Sequence, residues 1–579
     1  EHSSWRDSYH SKMTQPAGPA AIVAKWEGEI PAGRLTVKLL RKGDEFWVVT
    51  PDLHAFMNDN DALENAKTLP KIERRIVLVT GSHHKQMYWY ANGNGHELDL
   101  LPFLWLIKDQ RWVPRDAAFL RPNFWPPRME TGVWNVACIQ CHTTGGRSQF
   151  ADLNGATPNS DVVDFGIACE ACHGPGESHR RNHQNPATRM LAHLGLREPD
   201  DIVHPNKLPP ERAVEVCGQC HGQSIFAQDE GLWHYSEQGA SYVPGAKLND
   251  TKHVVDPRED PNTERMKRYL KANPRALKDM FWRDGMIKMG GRELNAILLA
   301  PCHDKGKGDK KLTCSHCHRM HKAPEDTRPK AQWTDDQLGD GMRGDKACTQ
   351  CHTEPTYAAQ AHTHHAPSSP GSRCMNCHMP RATYTLLKAT RNHMVSSPNA
   401  ARAHKTGRPD ACSLCHLDKP LRWTADKLTQ WYQQPRAALS DDHERIPAAV
   451  VWGLSGDALQ RALVTWHMGY APANKASGTD WLPLVLAQRV VDPYAGVRYM
   501  AGHVLQSHRG YEDMPYDFVG KIDRLNLTAS GVFAKWKRAM KGAGRTDDKW
   551  LYNGRFKLGA EDFDRLVNAR NDAIIDLAE

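Results

Sequence analysis

Apolar and polar residues alternate along several stretches near the N-terminus, with turn-forming residues between them. One pair of such stretches flanks Lys42-Gly43-Asp44, and a second pair flanks the residues from Gly81 to His84. Alternation on both sides of a short polar turn predicts antiparallel hairpins. We therefore predict an antiparallel β domain over residues 1–115. Its predicted strands cover residues 35–40, 46–50, 76–80, 86–90 and 100–107.

Apolar residues recur at helical spacing towards the C-terminus, over residues 446–454, 458–468, 481–490 and 497–505. The segment from Asp492 to Arg498 separates the last two of these helices, and an Asp-Pro turn that opens a helix with Val-Arg is similar to HEAT-type repeats. An ordinary helical domain accounts for the same pattern, so both interpretations stay open. The pattern predicts a C-terminal helical domain over residues 421–579, either HEAT-like or ordinary.

The region between these domains, residues 116–420, contains many Pro and Gly residues and only short helical patterns, one of them near 264–270. We predict a multidomain fold with an N-terminal antiparallel β unit, a mainly α and loop-rich middle and a C-terminal α-helical domain. Long apolar elements are lacking in the middle region. Its core must therefore contain something other than apolar side chains.

Cysteine spacing indicates what fills that core. Fourteen of the fifteen cysteines form seven CxxC pairs, and a histidine follows each pair directly. Two thiols at this spacing add to the two vinyl groups of one porphyrin, and the next residue ligates its iron. The pattern predicts seven covalent haems c. The attachment residues are Cys138, Cys141, Cys169, Cys172, Cys217, Cys220, Cys314, Cys317, Cys348, Cys351, Cys374, Cys377, Cys412 and Cys415, and the proximal ligands are His142, His173, His221, His318, His352, His378 and His416.

Structural zinc is the alternative for CxxC pairs, but zinc requires no histidine at the fifth position, and here all seven pairs have one. The remaining thiol is Cys302 in Pro301-Cys302-His303, for which we predict a free, inert cysteine. The porphyrin-filled middle region is then the seven-haem domain of the predicted fold. We number its motifs from one to seven in chain order.

The formal charge of +8 would by itself favour a nucleic-acid or membrane partner. Two propionates on each haem offset this excess, so the basic residues are better interpreted as partners of propionates, and no nucleic acid is expected. No apolar run is long enough to cross a bilayer. Covalent haem attachment takes place outside the cytoplasm, and the chain opens at Glu1 without a leader. We therefore expect an exported protein, periplasmic or extracellular, whose signal peptide has been removed.

Each iron has a second axial position, and its occupant separates electron carriers from enzymes. His179 follows a Gly-Pro turn behind the second motif, whereas His321 lies one helical turn after His318 and would serve a neighbouring iron. Residues 362, 364 and 365 are a cluster of histidines ahead of the sixth motif. The candidate distal ligands are His10, His83, His84, His179, His321, His365, His393 and His404.

Residues 169–179 read CEACHGPGESH and residues 314–321 read CSHCHRMH. These segments resemble multihaem cytochromes c, including octahaem and hydroxylamine-oxidoreductase-like proteins. In that group the trailing histidine commonly ligates a different haem, which implies this role for His179 and His321. The chain also looks like bacterial multihaem cytochromes that end in HEAT or tetratricopeptide repeats. In those relatives a Trp-x-x-Ser-x-His segment, here Trp5 to His10, often follows another CxxCH, so a truncated eighth motif is an expectation.

Two functions, besides a repeat-domain interaction scaffold in which the haems are secondary, remain open from the sequence. The first is electron transfer between redox proteins through mostly bis-histidine haems, with self-association or filament formation as an option. The second is oxidation or reduction of a small nitrogen or sulfur compound at one open haem. Pentahaem nitrite reductases of the wider group often replace the proximal histidine by lysine at the catalytic haem. All seven motifs here end in histidine, which favours electron transfer.

Overall fold

The computed structural model describes residues 2–32, 35–52, 70–122, 131–150, 157–196, 202–228 and 230–577. The chain divides into two compact units. The first contains residues 1–115, 125–255 and 307–343, and the second contains residues 116–124, 256–306 and 344–579. Motifs one to four therefore belong to the first unit, and motifs five to seven belong to the second. The predicted seven-haem range of 116–420 is therefore divided between the two units.

An eight-stranded antiparallel sheet dominates the start of the first unit. Strands β2 to β8 lie in sequence order, and β1 pairs with β5. Alternate side chains of β3 and β4 are buried, among them Val37, Leu39 and Val48, as expected for strands with one face on a core. The strands are β1 Thr14–Pro16, β2 Gly28–Ala32, β3 Leu35–Lys42, β4 Glu45–Pro51, β5 Lys71–Thr80, β6 Lys85–Ala91, β7 Leu98–Leu106 and β8 Arg111–Pro114.

The predicted hairpins are confirmed. Lys42 pairs with Glu45 across the first turn, and Thr80 pairs with Met87 across the second. Two short antiparallel strand pairs and eight α-helices also lie in the described part of this unit. They are β9 Thr143–Thr144 with β10 Asp164–Phe165, β11 Ser224–Phe226 with β12 Lys252–Val254, α1 His2–Arg6, α2 Ile139–His142, α3 Glu170–His173, α4 Glu177–Gln184, α5 Pro186–His193, α6 Pro210–Gly218, α7 Gly231–Gln238 and α12 Lys330–Thr334.

Helices make up most of the second unit. Its two hairpins are β13 Thr383–Thr385 with β14 Lys388–Thr390 and β15 Tyr552–Asn553 with β16 Lys557–Leu558. Its helices are α8 Glu264–Ala272, α9 Ala276–Met280, α10 Glu293–Ile297, α11 Pro301–Asp304, α13 Lys346–Thr349, α14 Pro355–Ala358, α15 Gln360–Thr363, α16 Cys374–His378, α17 Ala400–Thr406, α18 Leu421–Tyr432, α19 Asp441–Arg445, α20 Ala448–Ser455, α21 Ala458–Met468, α22 Ala471–Ser477, α23 Leu482–Arg489, α24 Ala495–Gln506, α25 Ile522–Gly542 and α26 Ala560–Asn568.

Helices α20, α21, α23 and α24 form the apolar core of the second unit, and most of their apolar side chains are fully buried. A capping box between Asp457 and Gln460 starts α21, because each side chain bonds the other's backbone N–H. The four helices predicted here and the helix near residue 264 are confirmed. The HEAT-like character stays a prediction. Among the described residues, no helix is both long and apolar enough to pass through a lipid bilayer.

Candidate metal centres

Each CxxCH motif folds as a tight helical turn. The backbone N–H of the histidine donates to the carbonyl of the first cysteine, for example from His173 to Cys169 at 3.0 Å and from His416 to Cys412 at 2.7 Å. The histidine lies four residues after the first cysteine and one after the second. On one turn of helix, the side chains at these three positions project from the same side. Both thiols and the imidazole can therefore reach one porphyrin.

None of the fifteen cysteines, all of which are described, forms a disulfide. In the first unit, thiols of different motifs lie side by side. Cys141 and Cys220 are within hydrogen-bonding distance, as are Cys217 and Cys314, and Cys172 is near Cys217. The attachment points of motif three therefore adjoin those of motifs one, two and four.

The second unit repeats this arrangement with three motifs. Cys348 and Cys374 are within hydrogen-bonding distance. Cys377 is close to Cys412 and Cys415. Motif six thus lies between motifs five and seven, and each unit has one motif whose attachment points adjoin those of the others.

In the first unit, the rings of two predicted distal ligands lie close to those of proximal histidines, and the ring centre of His204 also lies 6.5 Å from that of His173. The ring centres of His10 and His221 are 6.1 Å apart, and those of His173 and His321 are 6.2 Å apart. In each pair one ring belongs to a motif and the other was a predicted distal ligand. As expected from its position, His321 faces the proximal histidine of a different motif.

Two similar pairs occur in the second unit. His362 and His378 have ring centres 6.3 Å apart with nearly parallel planes, and His365 and His416 have ring centres 6.0 Å apart. His364, between the two partners, has φ of 53° and stacks on Trp431 instead. This left-handed residue reverses the chain after α15, which accounts for the different partners of His362 and His365.

The separation within these four pairs is what one metal ion between two imidazoles requires. A metal–nitrogen bond is about 2 Å long, and the centre of an imidazole lies roughly 1 Å behind the bonding nitrogen, so the two ring centres are about 6 Å apart. Directly stacked rings are closer, as His83 and His84 show at 3.7 Å. The residues of these four pairs therefore fit an iron held from both faces.

In three of the proximal and candidate distal histidines, a hydrogen bond at Nδ1 leaves Nε2 as the nitrogen that can coordinate a metal. Nδ1 of His173 bonds the carbonyl of Val203 at 2.8 Å, and Nδ1 of His365 bonds the carbonyl of Thr363 at 2.6 Å. Nδ1 of His318 bonds the carbonyl of Asp336 at 3.0 Å. Since metal-ligating histidines usually donate their other N–H in this way, both tautomer and ring orientation suit ligation.

Burial favours the neutral form of three of the paired imidazoles, which is the form that binds metal. Burial lowers the pKa of His10 to about 4. Burial also lowers the pKa values of His378 and His416. These side chains are therefore uncharged near neutral pH, before any iron is bound.

Other predicted distal ligands are engaged elsewhere. His83 stacks on Tyr9 and on His84, and its Nε2 lies 3.1 Å from Oδ1 of Asp335. The Nε2 of His404 accepts the backbone N–H of Ser440 at 3.2 Å. Because these nitrogens of His83 and His404 already bond protein atoms, neither is poised to ligate a metal.

Three candidates remain, which are His179, His393 and His84, and the last of these stacks on His83. His179 lies beside His183, with ring centres 4.4 Å apart. His393 is half-buried just after β14. Sequence reasoning did not select His362, although the cluster at 362, 364 and 365 was its signal. Cys302 is half-buried in α11, and burial raises the pKa of its thiol.

The fifth motif differs from the others in exposure. His352 is the exposed one among the seven proximal histidines, and Cys351 beside it is exposed as well. Among the described residues, the aromatic ring next to His352 is that of Tyr357, 5.3 Å away. Tyr357 also lies 5.8 Å from His362, a member of the pair at motif six. Across the described ranges, no group of three or more His, Cys, Asp or Glu side chains converges as a metal site.

Seven helical CxxCH turns and four facing imidazole pairs are typical of one class, the multihaem c-type cytochromes. The comparison with known proteins indicates the same class. Over 254 residues, 41% of its length, the chain is 22% identical to "Multiheme cytochrome MtrA" of Shewanella baltica (strain OS185). It spans 57% of the length of that relative. No protein-family model and no solved structure match the chain.

Proposed function

We propose that this protein is a heptahaem c-type cytochrome that transfers electrons between redox proteins. The four facing imidazole pairs carry the proposal, because an iron bound by histidine on both faces has no position for a substrate. Bound haem supplies reversible one-electron chemistry of iron. The chain supplies the attachment thiols, the two axial ligands and the burial of those ligands.

The proposed distal ligands are assigned by these pairs. His10 would serve motif three, His321 motif two, His362 motif six and His365 motif seven. The side-by-side thiols support electron exchange within each unit, because they bring the attachment points of motif three next to three others and those of motif six next to two others. For the remaining distal positions we propose no ligand.

The proposed partners are other redox proteins, and the proposed location is the periplasm or the cell exterior. The similarity to a multihaem cytochrome supports the class. Covalent attachment of haem outside the cytoplasm is the reason for the location. Filament formation has no support in the fold or in the comparison, so the proposal leaves it out.

A second candidate function is conversion of a small nitrogen or sulfur compound at one open haem. It is favoured by one observation, at motif five. The aromatic ring beside His352 in the described part of the chain is a phenol, Tyr357, and not an imidazole. A haem attached there would be the one to examine for an exchangeable ligand.

The haem count tests the first part of the proposal. A pyridine haemochrome assay should return seven haems per chain. Replacing both cysteines of motif seven, Cys412→Ala with Cys415→Ala, should reduce the count to six. Cys302→Ser is the matched control and should leave seven. A wild-type count of three or four would overturn the proposal.

Electron paramagnetic resonance at low temperature tests the ligation. Electron transfer alone predicts low-spin ferric signals only. A high-spin component that shifts on addition of nitrite, hydroxylamine or sulfite would support the second function and contradict the first. Absence of low-spin signals altogether would contradict the assigned imidazole pairs.

A further inference from the structure

A single buried glutamine bonds one predicted distal ligand of the first unit and the backbone next to another. Gln337 is 3% exposed and adopts φ of 48°, a left-handed conformation that few non-glycine residues adopt. Its Oε1 lies 2.6 Å from Nδ1 of His10. Its Nε2 donates to the carbonyl of Met320, next to His321, at 3.2 Å.

The bond to Met320 determines which way the amide of Gln337 points. A carbonyl can only accept, so the NH₂ group must face Met320 and the amide oxygen must face His10. Nδ1 of His10 is then the donor. Its Nε2 is then the nitrogen with a lone pair, in a ring whose centre lies 6.1 Å from that of His221.

The neighbours of Gln337 contact the same group of histidines. The carbonyl of Asp336 bonds Nδ1 of His318 at 3.0 Å, and the carbonyl of Gln337 accepts the N–H of Arg319 at 2.6 Å. Residues 336 and 337 therefore bond His10, His318, the N–H of Arg319 and the carbonyl of Met320. This one turn bonds a predicted distal ligand of motif three and the proximal histidine of motif four.

Trp5 provides a second link between His10 and His321. Its ring centre lies 5.8 Å from His10 and 5.7 Å from His321. The indole N–H donates to the carbonyl of Ile167 at 2.8 Å, and the N–H of Ile167 donates to the carbonyl of His10 at 3.0 Å. The indole is 7% exposed, so it is held between the two imidazoles.

We propose that Gln337 and Trp5 are positioning residues that set the reduction potential at motif three and join its distal ligand to that of motif two. This proposal rests on the proposed function, since it takes His10 and His321 as ligands. A hydrogen-bond acceptor at Nδ1 makes a ligating imidazole a stronger donor to iron and stabilises the oxidised state. A neutral amide gives a moderate effect, and a carboxylate gives a larger one.

Potentiometric titration of the haem-loaded full chain, followed by optical spectroscopy, tests the role of Gln337. We expect Gln337→Glu to shift one of the seven components to lower potential and Gln337→Met, which has no comparable acceptor, to shift it to higher potential. Gln149→Glu is the matched control, because Gln149 is a second glutamine with a left-handed backbone in the same unit, φ 49°. Gln149→Glu should leave the reduction potential of that component unchanged.

Electron paramagnetic resonance tests the link through Trp5. We expect Trp5→Phe to move the low-spin signals of two centres together. Trp112→Phe, in the sheet, should move none. Unchanged titrations in both Gln337 variants, or a shift of one signal alone in Trp5→Phe, would overturn the proposal. If the Gln337 and Trp5 variants still carry seven haems with low-spin signals, the proposed function stands even where this proposal fails. If the wild type lacks the seven haems or the low-spin signals, the proposed function itself is overturned.

Discussion

At the scale of single residues, the left-handed conformation of His364 decides which histidines face which centres. His362 and His365 lie on either side of it and face His378 and His416. His364 itself stacks on Trp431 at 4.1 Å. Three histidines within four residues thus have three different surroundings.

This difference leads to a prediction with an internal control. His362→Ala and His365→Ala should each convert one low-spin centre to a high-spin or water-bound one, because each removes one imidazole of a facing pair. His364→Ala should leave all signals unchanged. Electron paramagnetic resonance measures the result, and the haemochrome assay should return seven haems in all three. Equal spectra for His364→Ala and His365→Ala would contradict the assignment.

The residue scale also shows the limit of sequence reasoning. The cysteines and proximal histidines are local in the chain, so spacing alone predicts them. The distal partners are set by tertiary contacts: the stacking of His83 on Tyr9 and the bond from Ser440 to His404 have no signal in the sequence. The cluster of histidines at 362, 364 and 365 is visible in the sequence, but the chain reversal at His364 that gives them different partners is not.

At the scale of elements, the junction between α23 and α24 depends on a buried charge network. Asp492 bonds Arg461 at 2.7 Å and Arg489 at 2.9 Å, and all three side chains are 0% exposed. Asp492 also accepts the N–H of Tyr494 at 3.1 Å at the start of α24. Burial opposes the charge of Asp492, but the two arginines hold its pKa below the usual value.

We expect Asp492→Asn to lower the free energy of unfolding of the second unit by roughly 3–5 kcal/mol, because it removes the nearest counter-charge of two buried arginines. Denaturant unfolding monitored by far-ultraviolet circular dichroism measures the loss. Asp523→Asn, on the exposed face of α25, is the control and should change the free energy by less than about 0.5 kcal/mol. Equal stabilities of the two variants would rule out this role.

Helices α19 and α26 are joined by a more exposed cluster. Asp562 bonds Arg445 at 2.6 Å and Arg565 at 3.0 Å, and Arg565 also bonds Asp442 at 3.0 Å. The bond from Arg445 is the largest contribution that lowers the pKa of Asp562, to about 2 from an ordinary 3.8. Asp562 is therefore a stabilising carboxylate.

Because the pKa of Asp562 is lower in the folded state, its stabilising contribution is complete above pH 3.8 and is lost as the pH falls towards 2. Asp562→Asn should reduce stability at neutral pH by up to about 1 kcal/mol, since the cluster is partly solvated. The difference from wild type should shrink with added salt and vanish near pH 2. Chemical denaturation at several pH values measures it, and a difference that persists at pH 2 would contradict the assignment.

Elements were predictable where the local signal was strong. The hairpin turns at Gly43 and Gly81, and the apolar periodicity of α21 and α24, gave these elements within a few residues. The short helical turns that contain the motifs carried no such periodicity, because their stability comes from tertiary contacts and, as proposed, from the attached group.

At the scale of the whole molecule, exposure separates one motif from the rest. Cys351, His352 and the following residues up to 361 are exposed, and Glu354 is the only charged residue from 347 to 361. The other six proximal histidines are partly buried. Motif five is therefore where we expect electrons to enter or leave the second unit.

Charge substitutions near motif five test this expectation. Thr356→Glu should slow reduction of the full protein by the anion dithionite, and Thr356→Lys should accelerate it, with both effects disappearing at high ionic strength. Stopped-flow absorbance measures the rates. Leu527→Glu, at an exposed position of α25, is the control. Equal rates for the three variants and wild type would exclude this entry point.

The division of the middle region between two compact units was not predictable from composition. All seven motifs share the same Pro- and Gly-rich background, and only tertiary contacts assign Cys314 to the first unit and Cys348 to the second.

The pairing of His10 with His221 affects how the protein matures. At motifs six and seven, the two histidines of each pair are near each other in the chain. Each pair can therefore form as soon as the short segment between its histidines has folded. His10 precedes every motif, and its partner follows motif two, so this pair must wait until the intervening chain has folded back. We expect the centre at motif three to be the last of the four paired centres to complete its ligation during biogenesis.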